Sequence, residues 1–144
     1  MPNTFITLDV PRGEGAGTPA VVATTGHPKT FVLAGDVAGA RYVVEGSNDG
    51  GGTWDILIDD DGTQTFFTTN NAGTKSVDCI VEQVRVRRIG GASSGPPPSL
   101  TMGAPPSVGP SFFGRLEVPQ QPGLGAPLDL GLGVGPLKTF ILRG

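Results

Sequence analysis

The chain has 144 residues, within the size of one domain, and carries 24 glycines and 14 prolines, more than an ordinary globular protein. Its formal net charge of −3 gives no electrostatic support for binding nucleic acid or a membrane surface. The single cysteine excludes an intrachain disulfide, and no run approaches the roughly 18 apolar residues of a membrane span. We expect a soluble protein without an N-terminal signal peptide, made in a cytoplasm.

Short β-prone runs separated by turn residues fill the first hundred residues. They predict strands at 5–10, 20–25, 30–35, 63–69, 75–81, 83–89 and 99–102, and a hairpin over 42–57. Glycines at 13, 15 and 17 predict an irregular arm after the first strand, and no segment has a convincing helical pattern. The spacing predicts an all-β fold, an antiparallel β-sandwich with Gly/Pro-rich arms.

The hairpin at 42–57 joins two β-prone runs through a turn of Gly, Asn and Asp residues that tolerate positive φ. Its second run carries Trp54, the only tryptophan, which we predict to be a buried core anchor. Glu45, in the first run, is interpreted as a solvated strand residue.

Alternation within 83–89 is the second informative pattern. It places Val84, Val86 and Arg88 on one face and Arg85, Arg87 and Ile89 on the other. The arginine face is predicted to be a charged outer surface that discourages edge pairing; the alternative is contact with an acidic partner.

The C-terminal residues repeat the N-terminal ones. The run 113–119 copies 5–11, Gly123-x-Gly125-x-Pro127 copies Gly15-x-Gly17-x-Pro19, and 138–144 copies 29–35. The pattern divides the chain into an N-terminal strand and Gly-rich arm (1–19), a sandwich (20–103), a Pro-rich linker (104–111) and a truncated repeat (112–144). Such strands cannot bury a core alone, so we expect them to dock on a partner by strand addition or apolar packing, as opposed to remaining a disordered remnant.

No residue is predicted to be catalytic, cofactor-binding or metal-ligating. His27 is the only histidine and lies in a turn, Ser47, Ser93 and Ser94 have no partner base, and Cys79 is predicted to be a small buried hydrophobe. The turn 59–62, with Asn48, Asp49 and Asp55, could offer oxygen ligands to calcium, but it lacks EF-hand spacing and is interpreted as a backbone turn.

Several motifs, in a fixed order along the chain, carry a resemblance to a known family. They are Thr30-Phe31-Val32-Leu33-x-Gly35, then Val44-Glu45-Gly46-Ser47-Asn48-Asp49-Gly50 with Trp54, then Ser76-Val77-Asp78-Cys79 leading into Val84-Arg85-Val86-Arg87. Over residues 20–103 the chain resembles a small β-sandwich module of tailed-phage and prophage virion proteins. The resemblance implies a non-enzymatic structural or binding module in which the hairpin and V-R-V-R residues define the fold.

Three functions follow from these expectations. The first is a capsid-associated decoration or cement protein of a phage head, contacting the major capsid protein and forming a homo-oligomer such as a trimer. The second is a tail, baseplate or fibre component. The third is a carbohydrate-binding module with Trp54 and Tyr42 as an exposed stacking platform. No acid/base pair or activated nucleophile supports an enzyme.

Overall fold

The structure is a computed structural model that describes residues 2–68, 73–91, 95–107, 116–128 and 139–141. Every regular element in these residues is a β-strand, as predicted. The strands are β1 (Thr4–Leu8), β2 (Gly15–Ala16), β3 (Ala20–Val21), β4 (Lys29–Ala34), β5 (Arg41–Ser47), β6 (Asp55–Ile56), β7 (Phe66–Phe67), β8 (Thr74–Val77), β9 (Gln83–Gly90) and β10 (Ser99–Ala104). Among the described residues, no helix is long and apolar enough to cross a lipid bilayer.

The strands form two antiparallel sheets. The four-stranded sheet has the order β1-β10-β4-β8, and the six-stranded sheet has the order β2-β9-β5-β6 with β3 on β9 and β7 on β5. Alternating side chains of both sheets meet in one core, which is the packing of a β-sandwich. Its larger members are Leu8, Phe31, Leu33, Leu100 and Met102 from one sheet and Tyr42, Val44, Phe67, Val84 and Val86 from the other. The predicted all-β class is confirmed.

The Gly-rich arm departs from the prediction of an irregular segment. Gly15 and Ala16 pair with Arg88 and Arg87 of β9, which gives this side of β9 a hydrogen-bonded neighbour. Gly15 reaches that position with a φ of 124°, where a side chain would be strained. The arm therefore closes one edge of the six-stranded sheet.

Several predicted strands are shorter in the structure: the run 75–81 forms β8 only as far as Val77, and the run 5–10 forms β1 only as far as Leu8. The run 20–25 keeps only β3, because the Thr25 N–H and hydroxyl both donate to the Val22 carbonyl and turn the chain. The run 63–69 keeps only β7, and residue 69 lies outside the described residues, as do 92–94, 108–115 and 129–138. β9 lies between β2 and β5, so the prediction that its arginines guard an edge was wrong.

The loop after β1 contains a close backbone crossing that recurs in the C-terminal segment. A Cβ on Gly17 would lie 2.1 Å from the Asp9 carbonyl oxygen, and a Cβ on Gly125 would lie 2.3 Å from the Glu117 carbonyl oxygen. Gly123, like Gly15, has positive φ, at 146°. Stretches with similar sequence thus have a similar local conformation, because both crossings leave no room for a side chain.

The matching side chains beyond the crossing have different environments. Phe31 is fully buried in β4, whereas Phe140, its counterpart in the sequence repeat, is 71% exposed. Thr139 Oγ1 accepts a 2.6 Å hydrogen bond from the Ile80 N–H, and Ile141 packs against the core. This part of the C-terminal segment docks on its own chain without repeating the burial of β4.

We predict that Gly17→Ala lowers the free energy of unfolding by about 1 to 3 kcal/mol, since the new methyl group collides with the backbone of Asp9. Gly13→Ala is the matched control, because nothing lies within 4 Å of a Cβ at that position. Urea unfolding of both variants measures the difference. Equal stability of the two variants would contradict the tight crossing.

Candidate functional site

The hairpin of β5 and β6 carries the polar residues of the Glu-Gly-Ser-Asn-Asp-Gly motif and Trp54. Glu45 pairs with Ile56 and Gly46 with Asp55, which confirms the predicted hairpin. Gly50 and Gly51 have φ of 70° and 89°, the left-handed values that the turn requires. A Cβ on Gly46 would lie 2.7 Å from Leu57, so glycine lets the second strand pack against the first.

Asp49 organises the hairpin turn. Its Oδ1 accepts hydrogen bonds of 2.8 Å from the Ser47 hydroxyl and the Thr53 N–H, and its Oδ2 accepts one of 2.8 Å from the Thr53 hydroxyl. Ser47 Oγ in turn accepts from the Gly51 N–H at 3.0 Å. The Ser47 hydroxyl therefore stabilises the turn, and the carboxylate that it donates to, Asp49, belongs to the same turn.

The same turn is attached to the segment that precedes β9. Asn48 Oδ1 accepts from the Glu82 N–H at 2.9 Å, and the Asn48 amide donates to the Ile80 carbonyl at 3.4 Å. Glu82 Oε2 accepts from the Gly50 N–H at 2.9 Å. The polar residues of the Glu-Gly-Ser-Asn-Asp-Gly motif thus join two parts of the fold.

Trp54 lies outside the inter-sheet core, so the prediction of a buried anchor was wrong. Its side chain is partly buried, its Nε1 donates to the Gly51 carbonyl at 2.9 Å, and the Arg85 guanidinium lies 4.2 Å from the ring centre. Leu57 is the residue of this run that enters the core. Because strand side chains alternate, a residue three positions earlier faces outward.

Glu45 is the centre of the charge cluster on this outer surface. It is 7% exposed, and its two carboxylate oxygens accept from Arg85 Nε at 2.6 Å and Arg87 Nε at 2.7 Å. The interpretation of Glu45 as a solvated residue was therefore wrong. Pairing of β5 with β9 sets Glu45 opposite Arg85, so the arginines neutralise a carboxylate of their own fold.

We predict that Trp54→Ala folds and loses about 1 to 2 kcal/mol of stability, the contribution of an arginine stack and one hydrogen bond. Tyr42→Ala is the comparison variant, because Tyr42 is 1% exposed in the core, and we expect a loss of about 3 to 5 kcal/mol. Thermal and urea unfolding rank the two variants. A larger loss for Trp54→Ala than for Tyr42→Ala would contradict this placement.

The acidic turn at 59–62 is held by its own hydrogen bonds. Asp59 accepts from the Thr63 N–H at 2.9 Å, the Thr63 hydroxyl at 2.7 Å and the Asp61 N–H at 3.1 Å. These bonds, the Thr63 hydroxyl first, lower the pKa of Asp59, and Lys75 lies 3.5 Å away. Within the described ranges, no three His, Cys, Asp or Glu side chains form a group that could hold a metal ion.

A buried lysine and the single cysteine lie together at one end of the core. Lys29 is 1% exposed, and its Nζ donates to the Gly26 carbonyl at 3.0 Å and the Cys79 carbonyl at 3.2 Å. Burial lowers the pKa of Lys29 and raises the pKa of the Cys79 thiol to about 11. The thiol is therefore protonated at neutral pH. Cys79 is 4% exposed, as expected for a small buried hydrophobic residue.

His27 makes a side-chain hydrogen bond that the sequence did not suggest. Its Nδ1 lies 2.8 Å from Oδ1 of Asp78, the residue that precedes Cys79. This contact ties the turn before β4 to the residues after β8. Residues 27 and 78 are far apart in sequence, so spacing offered no signal for it.

The thiol predicts a pH dependence of stability. Because its pKa is raised from 9.0 to about 11 on folding, the folded chain holds that proton more tightly, and stability is lost as pH rises above 9.0. Lys29 acts in the opposite direction, since its pKa is lowered by folding.

We expect Cys79→Ala to remove the contribution of the thiol and to keep Lys29 buried with its two backbone hydrogen bonds. Relative to this variant, the native protein should lose about 2 kcal/mol of stability by about pH 11. Urea unfolding of both proteins from about pH 8 to about pH 11 measures the difference. Parallel profiles across this range would contradict it.

Comparisons with known proteins bear on the fold. No protein-family model and no curated protein matches the chain. The solved structures contain a similar fold in the SPBc2 prophage-derived protein YomS, with a TM-score of 0.53 and 13% sequence identity. The match covers 72% of this chain and 92% of YomS. At this identity the likeness shows a shared all-β fold, and function requires separate argument.

Proposed function

We propose that the protein is a non-enzymatic structural protein of a tailed-phage particle. The observation that carries the proposal is the fold likeness to a prophage-derived protein, which covers 92% of that chain. The motif resemblance over residues 20–103 rests on the amino-acid sequence alone and favours the same class of protein.

The contacts of the motif residues support a structural role. Asn48, Asp49 and Ser47 direct their polar groups into the hairpin turn and the segment before β9. Glu45 is saturated by two arginines, and the Cys79 thiol is buried and protonated at neutral pH. These side chains are used in hydrogen bonds and ion pairs that stabilise the fold, and none of them is an activated nucleophile.

Within the particle we propose a decoration or cement role on the head, with the major capsid protein as the partner. The C-terminal segment is suited to such contacts, because Leu124 is 99% exposed and Val118 is 64% exposed in a stretch rich in Gly and Pro. Apolar side chains on an extended arm can pack into grooves between neighbouring subunits. A homo-oligomer, such as a trimer, would multiply these contacts.

A binding experiment with separated phage heads and tails tests this role. Particles from a host that carries the gene are separated, and mass spectrometry measures the protein in each fraction. We expect enrichment on heads and rebinding of purified protein to stripped heads. Recovery with tails would replace the head role by a tail, baseplate or fibre role, and absence from both fractions would end the virion proposal.

A pair of variants tests the contribution of the arm. Leu124→Ser removes a fully exposed side chain of the C-terminal segment, and Val21→Ser is the control, since Val21 is 67% exposed on β3. We expect weaker head binding for the first variant only. Equal binding of both variants would show that Leu124 takes no part in attachment.

The structure gives little support to a carbohydrate-binding platform. Tyr42 is 1% exposed in the core, and the Arg85 guanidinium covers one face of Trp54. A sugar would therefore find one half-covered ring where the sequence hypothesis required two exposed ones.

A further inference from the structure

We propose that two copies of this chain pair edge to edge through β1, in antiparallel orientation, so that their four-stranded sheets form one continuous sheet. β1 lies at the end of the order β1-β10-β4-β8, with β10 along one side. In the described part of the chain, no hydrogen bond is made along its other side. Unpaired N–H and C=O groups of an edge strand are a template for another strand.

The other edge of the same sheet is covered. The Asp60 N–H donates to the Ser76 carbonyl at 2.9 Å, and Asp60 Oδ1 accepts from the Asp78 N–H at 3.0 Å, so the acidic turn lies along β8. Lys75 of β8 also pairs with Asp59 at 3.5 Å. Charge and a covering loop are common protections of an edge, and β8 has both.

The edges of the six-stranded sheet are short. β2, β3, β6 and β7 each contain two residues, too few to template a long added strand. β1 has five residues, Thr4–Leu8, without a charge, a proline or a glycine. It is the longest open edge in the described residues and the least protected one.

The sheet face beside this edge is also neutral. Side chains on the outer face of the four-stranded sheet follow from alternation and register, and none of them is charged. They are Phe5, Thr7, Thr30, Val32, Ala34, Thr74, Ser76, Ser99, Thr101 and Gly103. The outer face of the other sheet, by contrast, carries the cluster of Glu45, Arg85 and Arg87.

Phe5 marks the edge on this face. It is 73% exposed, and its ring edge lies 3.2 Å from where a Cβ of Gly103 would be, so the ring leans over the neighbouring strand. A large apolar side chain beside an open edge gains burial when a second strand is added.

A second copy is the partner that fits this edge best. The chain carries a net charge of −3, so two copies repel each other over most approaches. The β1 edge and the outer face beside it are uncharged, so two copies can meet there without like charges facing each other. A two-fold pairing centred on Ile6 uses all five residues of β1: Ile6 faces its own copy, and Phe5 faces Thr7 of the other chain. The interface is then self-complementary, as a two-fold dimer requires.

Pairing of one strand buries less than the roughly 1,200 Å² of a standard interface. The dimer should therefore be weak and dependent on concentration, and it would strengthen attachment where copies are held close together. This inference rests on the fold and holds or fails independently of a virion role.

Sedimentation of the full-length chain from micromolar to millimolar concentration tests the proposal. We expect a reversible dimer. Thr7→Lys should abolish it, because one lysine from each chain would place two positive charges beside the joined β1 strands. Thr74→Lys is the matched control: Thr74 lies in the same cross-strand row as Thr7, on β8 at the opposite edge. A monomer at every concentration, or a dimer that Thr7→Lys leaves intact, would overturn the proposal.

Disulfide trapping tests the register without relying on affinity. Phe5→Cys and Thr7→Cys are prepared separately in a Cys79→Ala background, mixed and oxidised. The register centred on Ile6 predicts a covalent dimer from the mixture and little from either variant alone, since Phe5 faces Thr7 of the other chain. Equal cross-linking in the single-variant samples and the mixture would overturn this arrangement.

Discussion

The pairing of β5 with β9 is the interaction on which the rest of the structure depends. Seven residues of β5, Arg41–Ser47, find partners on β9, and six of them are buried. One face of the pair supplies Tyr42, Val44, Val84 and Val86 to the core. The other face would bury Glu45 without a partner if Arg85 and Arg87 did not neutralise it. A shift of one residue in this register would exchange the apolar and charged faces.

The turns act as attachments between elements as well as changes of direction. The hairpin turn binds residues 80–82 through Asn48 and Glu82, and the turn at 59–62 binds β8 through Asp60. His27 and Lys29 both reach the segment at 78–79. A chain with many glycines and short strands gains rigidity by such bonds, since each strand alone contributes few ladder hydrogen bonds.

The C-terminal segment shows how a repeated sequence can keep a local conformation and change its environment. The crossings at Gly17 and Gly125 are alike, because in each the glycine lies against the carbonyl oxygen of a residue eight positions earlier in the chain. Burial of Phe31 depends on β10 and β8 on either side of β4. Phe140 has no such setting among the described residues and is exposed. Its environment is therefore set by what packs around it.

The sequence by itself determined the β class, the hairpin and the inward face of β9, because turn residues and alternation are local properties of the chain. It also determined the buried state of Cys79, from the apolar run around it. Only the tertiary structure decided the outward position of Trp54, the burial of Glu45 and the pairing of Gly15 with β9. Each of these depends on which strand lies alongside, and partners distant in sequence leave no mark in local periodicity. The open edge at β1 was invisible for the same reason, since a strand becomes an edge only when the order of the sheet is known.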